Sequence, residues 1–283
     1  MSTLTTSDHD RDSAGLTYVY PVLSRRAGGI SLGVNFNTNN ACNWRCIYCQ
    51  VPNLERGVAP DIDLQLLTAE LSGFIRQLQS GQFYQQYNLD PPLYPLKDIA
   101  ISGNGEPTTA KNLEVAIQLI GEIALSHGVF PGSKYVLISN GSLVHQANVQ
   151  AGLRKLHQFG GELWFKLDSA TLAGRKLMNN AVISEQTLLT RLQLAAESCT
   201  LKLQTCMLGF HQQLWNEPEK QAYLQLLKTL RNLNIPIAEI MLYGLARASC
   251  QPEAEGLQKL SLLEMQEFAD KVRLLGYAVS VSE

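Results

Sequence analysis

The chain has 283 residues, 45% of them hydrophobic and 17% charged, with a formal net charge of −2. That composition supports a sizeable core and excludes a disordered chain. It also lacks the basic excess of a general nucleic-acid binder and any apolar run of the ~18 residues that would span a bilayer.

Residues 1–15 are polar and carry both Asp and Arg, so they read as a flexible N-terminal tail without a secretory signal. A cytoplasmic location is the default expectation. Residues 16–283 show no linker or repeat, which points to one domain. Ile30–Asn37 reads as a strand. Leu64–Gln79 has helical apolar spacing. Gln82–Leu96, rich in Tyr and Pro, reads as a loop. Strand and helix then alternate: Asp98–Ser102, Asn112–His127, Tyr135–Ser139, His145–Phe159, Leu163–Leu167 and Ser184–Glu197, with Ser184 as N-cap. The rhythm continues through Leu201–Leu208, Glu217–Asn232 and Pro236–Tyr243. Ser261–Leu275 opens on a capping box, Ser261 with Glu264. Tyr277–Val281 reads as a short last strand.

Six strand–helix units imply a parallel sheet with helices outside it. Eight such units would make a complete barrel in ~250 residues. The expected fold is therefore α/β, a partial (β/α)6 TIM-like barrel, with a doubly wound open sheet as the alternative. In both, chemistry belongs at the C-terminal ends of the strands.

Six cysteines are present. Cys42, Cys46 and Cys49 form a C-x3-C-x2-C cluster directly after the first expected strand. Three thiolates this close suit one metal centre. Structural zinc normally takes four ligands from paired knuckles, and the second knuckle is missing here. A [4Fe–4S] cluster held by three cysteines leaves one iron open. A zinc-stabilised binding module with an outside fourth ligand is the alternative of another class. Cys199, Cys206 and Cys250 are scattered and carry no assignment.

The segment Cys42-Asn43-Trp44-Arg45-Cys46-Ile47-Tyr48-Cys49 resembles the signature of the radical S-adenosylmethionine (radical SAM) superfamily, with Tyr48 at its aromatic position. The resemblance implies a [4Fe–4S] cluster on Cys42, Cys46 and Cys49, with S-adenosylmethionine chelated by its open iron. It implies reductive cleavage of that cofactor to a 5′-deoxyadenosyl radical, which abstracts hydrogen from an unidentified substrate. An electron donor such as flavodoxin or ferredoxin is implied as a partner. Gly103-Asn104-Gly105-Glu106-Pro107 is similar to the superfamily's Gly-Gly-Glu-Pro motif, with Asn104 replacing a glycine. By that likeness Gly103, Asn104, Gly105 and Glu106 hold the methionyl group. Asn140 and Asp168, at two further strand ends, line the deeper pocket, and Tyr48 lies near the adenine.

Lys166 and Asp168 share a strand face and would either pair or meet a ligand. Arg247, Arg25 and Arg26 are candidate anion-binding residues. The stretch from Tyr20 to Gly276 is faintly similar to the subgroup related to the wybutosine tRNA-modifying enzyme. The upstream cysteines of that enzyme are missing, since no cysteine precedes Cys42. A glycyl-radical activating enzyme or a tRNA-modifying enzyme would use the same site. The substrate class therefore stays open among small molecule, protein and RNA.

Overall fold

The structure, a computed structural model, describes residues 14–24 and 28–283. Arg25, Arg26 and most of the expected tail lie outside the described residues.

Eight strands form one sheet, and they are adjacent in chain order. They are β1 (Val19–Ser24), β2 (Gly29–Val34), β3 (Leu96–Ile101), β4 (Lys134–Ser139), β5 (Glu162–Lys166), β6 (Thr200–Cys206), β7 (Glu239–Tyr243) and β8 (Val279–Ser282). From β2 to β8 every pairing is parallel. Only β1 runs antiparallel, against β2. Among the described residues the eight α-helices are α1 (Leu64–Gln79), α2 (Gln82–Tyr87), α3 (Leu113–Ser126), α4 (Ala147–Gln158), α5 (Leu172–Asn179), α6 (Glu185–Ser198), α7 (Glu217–Asn232) and α8 (Leu262–Arg273). Six strand–helix units followed by a seventh parallel strand make the partial barrel that the alternation implies.

Alternation along each strand gives the sheet two faces. Leu32, Ile99, Leu137, Leu163, Leu203 and Ile240 face the helices and belong to the main core, with Leu67, Leu71 and Ile117 from the helix layer. Burying each such side chain contributes about 1.5–3 kcal/mol. On the concave face Ala100, Val136, Trp164 and Met241 form a small apolar layer. Toward the N-terminal ends of the strands, Lys202 bridges Glu162 and Glu239, each at 3.0 Å. Toward the C-terminal ends the concave face opens into a cavity.

Three elements depart from the sequence expectation. The strand β1 contains Pro21, which suits only an edge, and β1 is an edge strand. Its start is fixed by Glu70 of α1, whose carboxylate accepts the N–H groups of Thr17, Tyr18 and Val19. The expected loop at 82–96 begins as α2, because Phe83 and Tyr87, four apart, both bury against the core. Helix α5 is capped by Thr171, whose hydroxyl accepts from Gly174 N–H. Ser184 and the Ser261–Glu264 box cap α6 and α8 as expected.

Candidate active site

The cavity has a volume of about 810 Å³ and sits at the C-terminal mouth of the sheet. Cys42, Cys46 and Cys49 all line it, each partly accessible. They lie on the loop that follows β2. Cys42 belongs to a two-residue strand, Ala41–Cys42, paired with Glu55–Arg56. The N–H of Cys49 donates to the carbonyl of Cys46 at 2.9 Å, which closes the turn between them.

This loop is held from two sides. On one side it docks on the C-terminal end of α5, where the N–H groups of Arg45 and Ile47 donate to the carbonyls of Asn179 and Met178. Helix C-terminal carbonyls lack helical partners, so the loop supplies them. The Asn179 amide donates to Cys46 Sγ at 3.3 Å and to Asp168 Oδ2 at 2.7 Å. On the other side lies the segment after β7. Ser249 Oγ donates to the carbonyls of Ile47 and Cys49, and Cys250 N–H donates to the Cys49 carbonyl. Arg45 makes a bidentate pair with Glu253, at 2.6 and 2.8 Å. Asn179, Ser249 and Glu253 were not singled out from sequence. No local pattern marks them, because their partners in the cysteine loop lie 133 to 208 residues away.

The Gly103–Pro107 turn packs against the root of the same loop. A Cβ on Gly103 would overlap the Asn35 amide, and one on Gly105 would overlap the Ala41 carbonyl and lie 2.7 Å from Asn37 Cγ. These glycines are thus required by protein packing as well as being available to a ligand. Glu106 is buried and accepts four hydrogen bonds. Oε1 takes Thr108 N–H (3.1 Å), Thr108 Oγ1 (2.6 Å) and Ser139 Oγ (2.7 Å); Oε2 takes Asn140 N–H (2.6 Å). Burial pushes its carboxyl up, and those hydrogen bonds oppose the shift. A carboxylate has about four lone-pair sites, so Oε2 retains acceptor capacity. Asn104 donates to Asn40 Oδ1 at 2.6 Å, while its own buried Oδ1 has no partner among the described residues.

Asn140 donates to Asn43 Oδ1 at 2.8 Å, tying the end of β4 to the cysteine loop. Tyr48 is buried and donates to Asp168 Oδ2 at 2.5 Å. Asp168 does not pair with Lys166; its Oδ1 takes Cys206 N–H at 3.0 Å instead. Lys166 instead faces the Tyr48 ring. Arg247 lines the cavity and donates to Gln50 Oε1 at 3.1 Å. Of the unassigned cysteines, Cys206 lines the cavity, Cys199 is buried and Cys250 is exposed.

Burial, with Glu106 nearby, pushes the Cys42 thiol up to about 11. Burial pushes Cys46 up to about 12, against the pull of Lys166. Both are thus protonated at neutral pH; coordination to a metal centre would remove the proton. Among the described residues no three His, Cys, Asp or Glu side chains converge as a single metal ion would need. The thiols line one cavity without meeting at a point. That donor set fits an iron–sulfur cluster, in which each thiolate binds a different iron.

Comparison with solved structures finds similar folds. A radical SAM methyltransferase from Sphaerobacter thermophilus superposes with a TM-score of 0.61 at 12% identity, over 93% of this chain and 68% of that one. TYW1 with a lysine–pyruvate adduct bound gives 0.57 at 16% identity, over 88% of this chain and 74% of that one. The likeness to these structures is one of fold, at low sequence identity. Among curated proteins, a UPF0026 protein of Helicobacter pylori is 32% identical over 136 residues. The match spans 48% of this chain and only 38% of that relative's length. A UPF0026 protein of Synechocystis is 27% identical over 222 residues, covering 77% of this chain and 72% of that protein. No protein-family model matches the chain.

Proposed function

We propose that the protein is a radical SAM enzyme. The observation that carries this reading is the meeting of three motif cysteines with the Gly-Asn-Gly-Glu-Pro turn on one cavity at the C-terminal mouth of a partial barrel. In this reading Cys42, Cys46 and Cys49 hold a [4Fe–4S] cluster, and S-adenosylmethionine occupies the adjoining space. Bound there, the cluster and its ligand supply a 5′-deoxyadenosyl radical that takes hydrogen from a substrate. The chain's own part is to bind, orient and exclude water. Glu106 Oε2 and the unpartnered Asn104 Oδ1 offer acceptors to the methionyl ammonium. Trp44, buried within the loop, shields the cluster, and the Asp168–Tyr48–Asn179 network fixes Tyr48 against the cavity.

The reading assigns the protein to a reducing compartment, the cytoplasm, and to a low-potential donor such as flavodoxin or ferredoxin. No helix among the described residues is long and apolar enough to cross a membrane. A zinc-stabilised module is disfavoured by the sequence, which offers no second cysteine or histidine knuckle beside the three motif cysteines.

Anaerobic reconstitution with iron and sulfide tests the proposal. At least three irons per chain should bind, and added reductant with S-adenosylmethionine should release 5′-deoxyadenosine. Cys46→Ala should lose both signals. Fewer than three irons in the native chain, or no nucleoside product, would reject the reading.

A further inference from the structure

Asn179 is the last residue of α5, and it is buried, as is Asp168 beside it. Its Nδ2 lies 3.3 Å from Cys46 Sγ and 2.7 Å from Asp168 Oδ2. The chemistry of the neighbours decides which end of the amide sits there. The Asp168 carboxylate can only accept, and it already accepts from Tyr48 and from Cys206 N–H. The amide must therefore turn its NH2 group to that side. One proton of that nitrogen meets the carboxylate, and the other is available to the sulfur. Among the described residues Cys46 is the one motif cysteine whose sulfur takes a side-chain hydrogen bond; Cys42 Sγ takes the N–H of Trp44, at 3.4 Å. The backbone holds the pair in place. Arg45 N–H donates to the Asn179 carbonyl and Ile47 N–H to the Met178 carbonyl, one on each side of Cys46.

We propose that Asn179 sets the reduction potential of the iron–sulfur cluster, acting through Cys46. The inference rests on the cluster assignment made above. One added electron makes a cluster more negative, and its thiolate sulfurs share that charge. A donor held against one sulfur favours the more negative state, and more strongly in a buried site than in water. Asn179 thus makes the cluster easier to reduce. The negative charge of Asp168 acts in the opposite sense. The three hydrogen bonds that Asp168 accepts disperse this charge, and the one from Asn179 keeps the amide turned to the sulfur.

Spectroelectrochemical titration of the anaerobically reconstituted protein tests the inference, with iron content measured alongside. Asn179→Leu keeps the side-chain bulk and removes the donor. At a fixed applied potential its ratio of reduced to oxidised cluster should fall about tenfold, which is about 59 mV for one electron. Asn179→Asp puts a second carboxylate in place of the donor and should lower the ratio at least as far. Ser249→Ala is the control, because it loosens the same loop at backbone carbonyls and touches no sulfur. Its ratio should stay within about twofold of native. A further measurement needs no variant. In native protein carrying nitrogen-15 asparagine, pulsed EPR of the reduced cluster should show coupling to an amide nitrogen. Unchanged ratios in the Asn179 variants, an equal fall in Ser249→Ala, or no such coupling overturns the inference and leaves the cluster assignment standing. A native chain that builds no cluster rejects the assignment and the inference with it.

Discussion

Glu106 shows how one side chain serves both fold and site. A carboxylate can accept on all sides, and here three donors meet Oε1 and one meets Oε2. Together they join the Gly103–Pro107 turn to the end of β4. Replacing it by Gln substitutes a donor for one acceptor. Whichever way the amide is placed, an –NH2 group then faces Asn140 N–H or the Thr108 and Ser139 donors. Leaving a buried donor unsatisfied costs about 1–3 kcal/mol. Glu106→Gln should therefore lower the unfolding free energy by about 2 kcal/mol in urea titration of the cluster-free protein. An unchanged midpoint would mean that Glu106 serves only a ligand. The sequence motif singled out this residue, and the fold sets it on the cavity that the three motif cysteines line. Its hydrogen-bonding to Ser139 and Asn140, 33 and 34 residues on, requires the folded sheet to be seen.

At the level of elements, regular periodicity was informative and short or edge elements were not. Helix α1 spans Leu64–Gln79 as its apolar spacing implies. Strand β1 was hidden by Pro21, α2 by a Tyr- and Pro-rich composition, and α5 by its eight residues and internal Gly174. The miss at α5 matters most, because the C-terminal end of that helix supports the cysteine loop. The opposing support, residues 249–253, has no regular structure to signal it. Its contribution can be measured. Ser249→Ala combined with Glu253→Ala removes the hydroxyl donor and the bidentate partner of Arg45 without altering a cavity-lining side chain. Under the proposed function, a chelator should strip iron from the double variant several-fold faster than from the native protein. Bleaching of the cluster absorbance follows the rate. Equal rates would show that these two side chains do not hold the loop.

Across the whole molecule the concave face is layered along the strand direction: the cavity above, an apolar layer of Ala100, Val136, Trp164 and Met241 in the middle, and a charged layer below. Lys202 is only 8% exposed and lies between Glu162 and Glu239. Burial opposes its charge, but its hydrogen bonds to both carboxylates hold it above the ordinary lysine range. Burial would raise Glu239, yet its bonds to Ser280 and Lys202 and the positive charge of Lys202 hold it below the ordinary range. The Glu239 contribution to stability is thus present at neutral pH and is lost as pH falls through its depressed value. The Lys202 contribution is present at neutral pH and is lost as pH rises through its elevated value. Native stability should be level between about pH 6 and pH 9 on this account. Lys202→Met leaves two carboxylates facing each other without a counter-charge, which costs about 3 kcal/mol. In that variant the like charges repel, so a proton taken up between them favours the fold. Urea midpoints of Lys202→Met should therefore increase as pH is lowered from about 7 to 5, while native midpoints stay level or decrease. Adding Glu162→Gln and Glu239→Gln to Lys202→Met should recover most of the loss at pH 7. Parallel pH profiles for the native and Lys202→Met proteins would show that the lower layer does not depend on this ion triad.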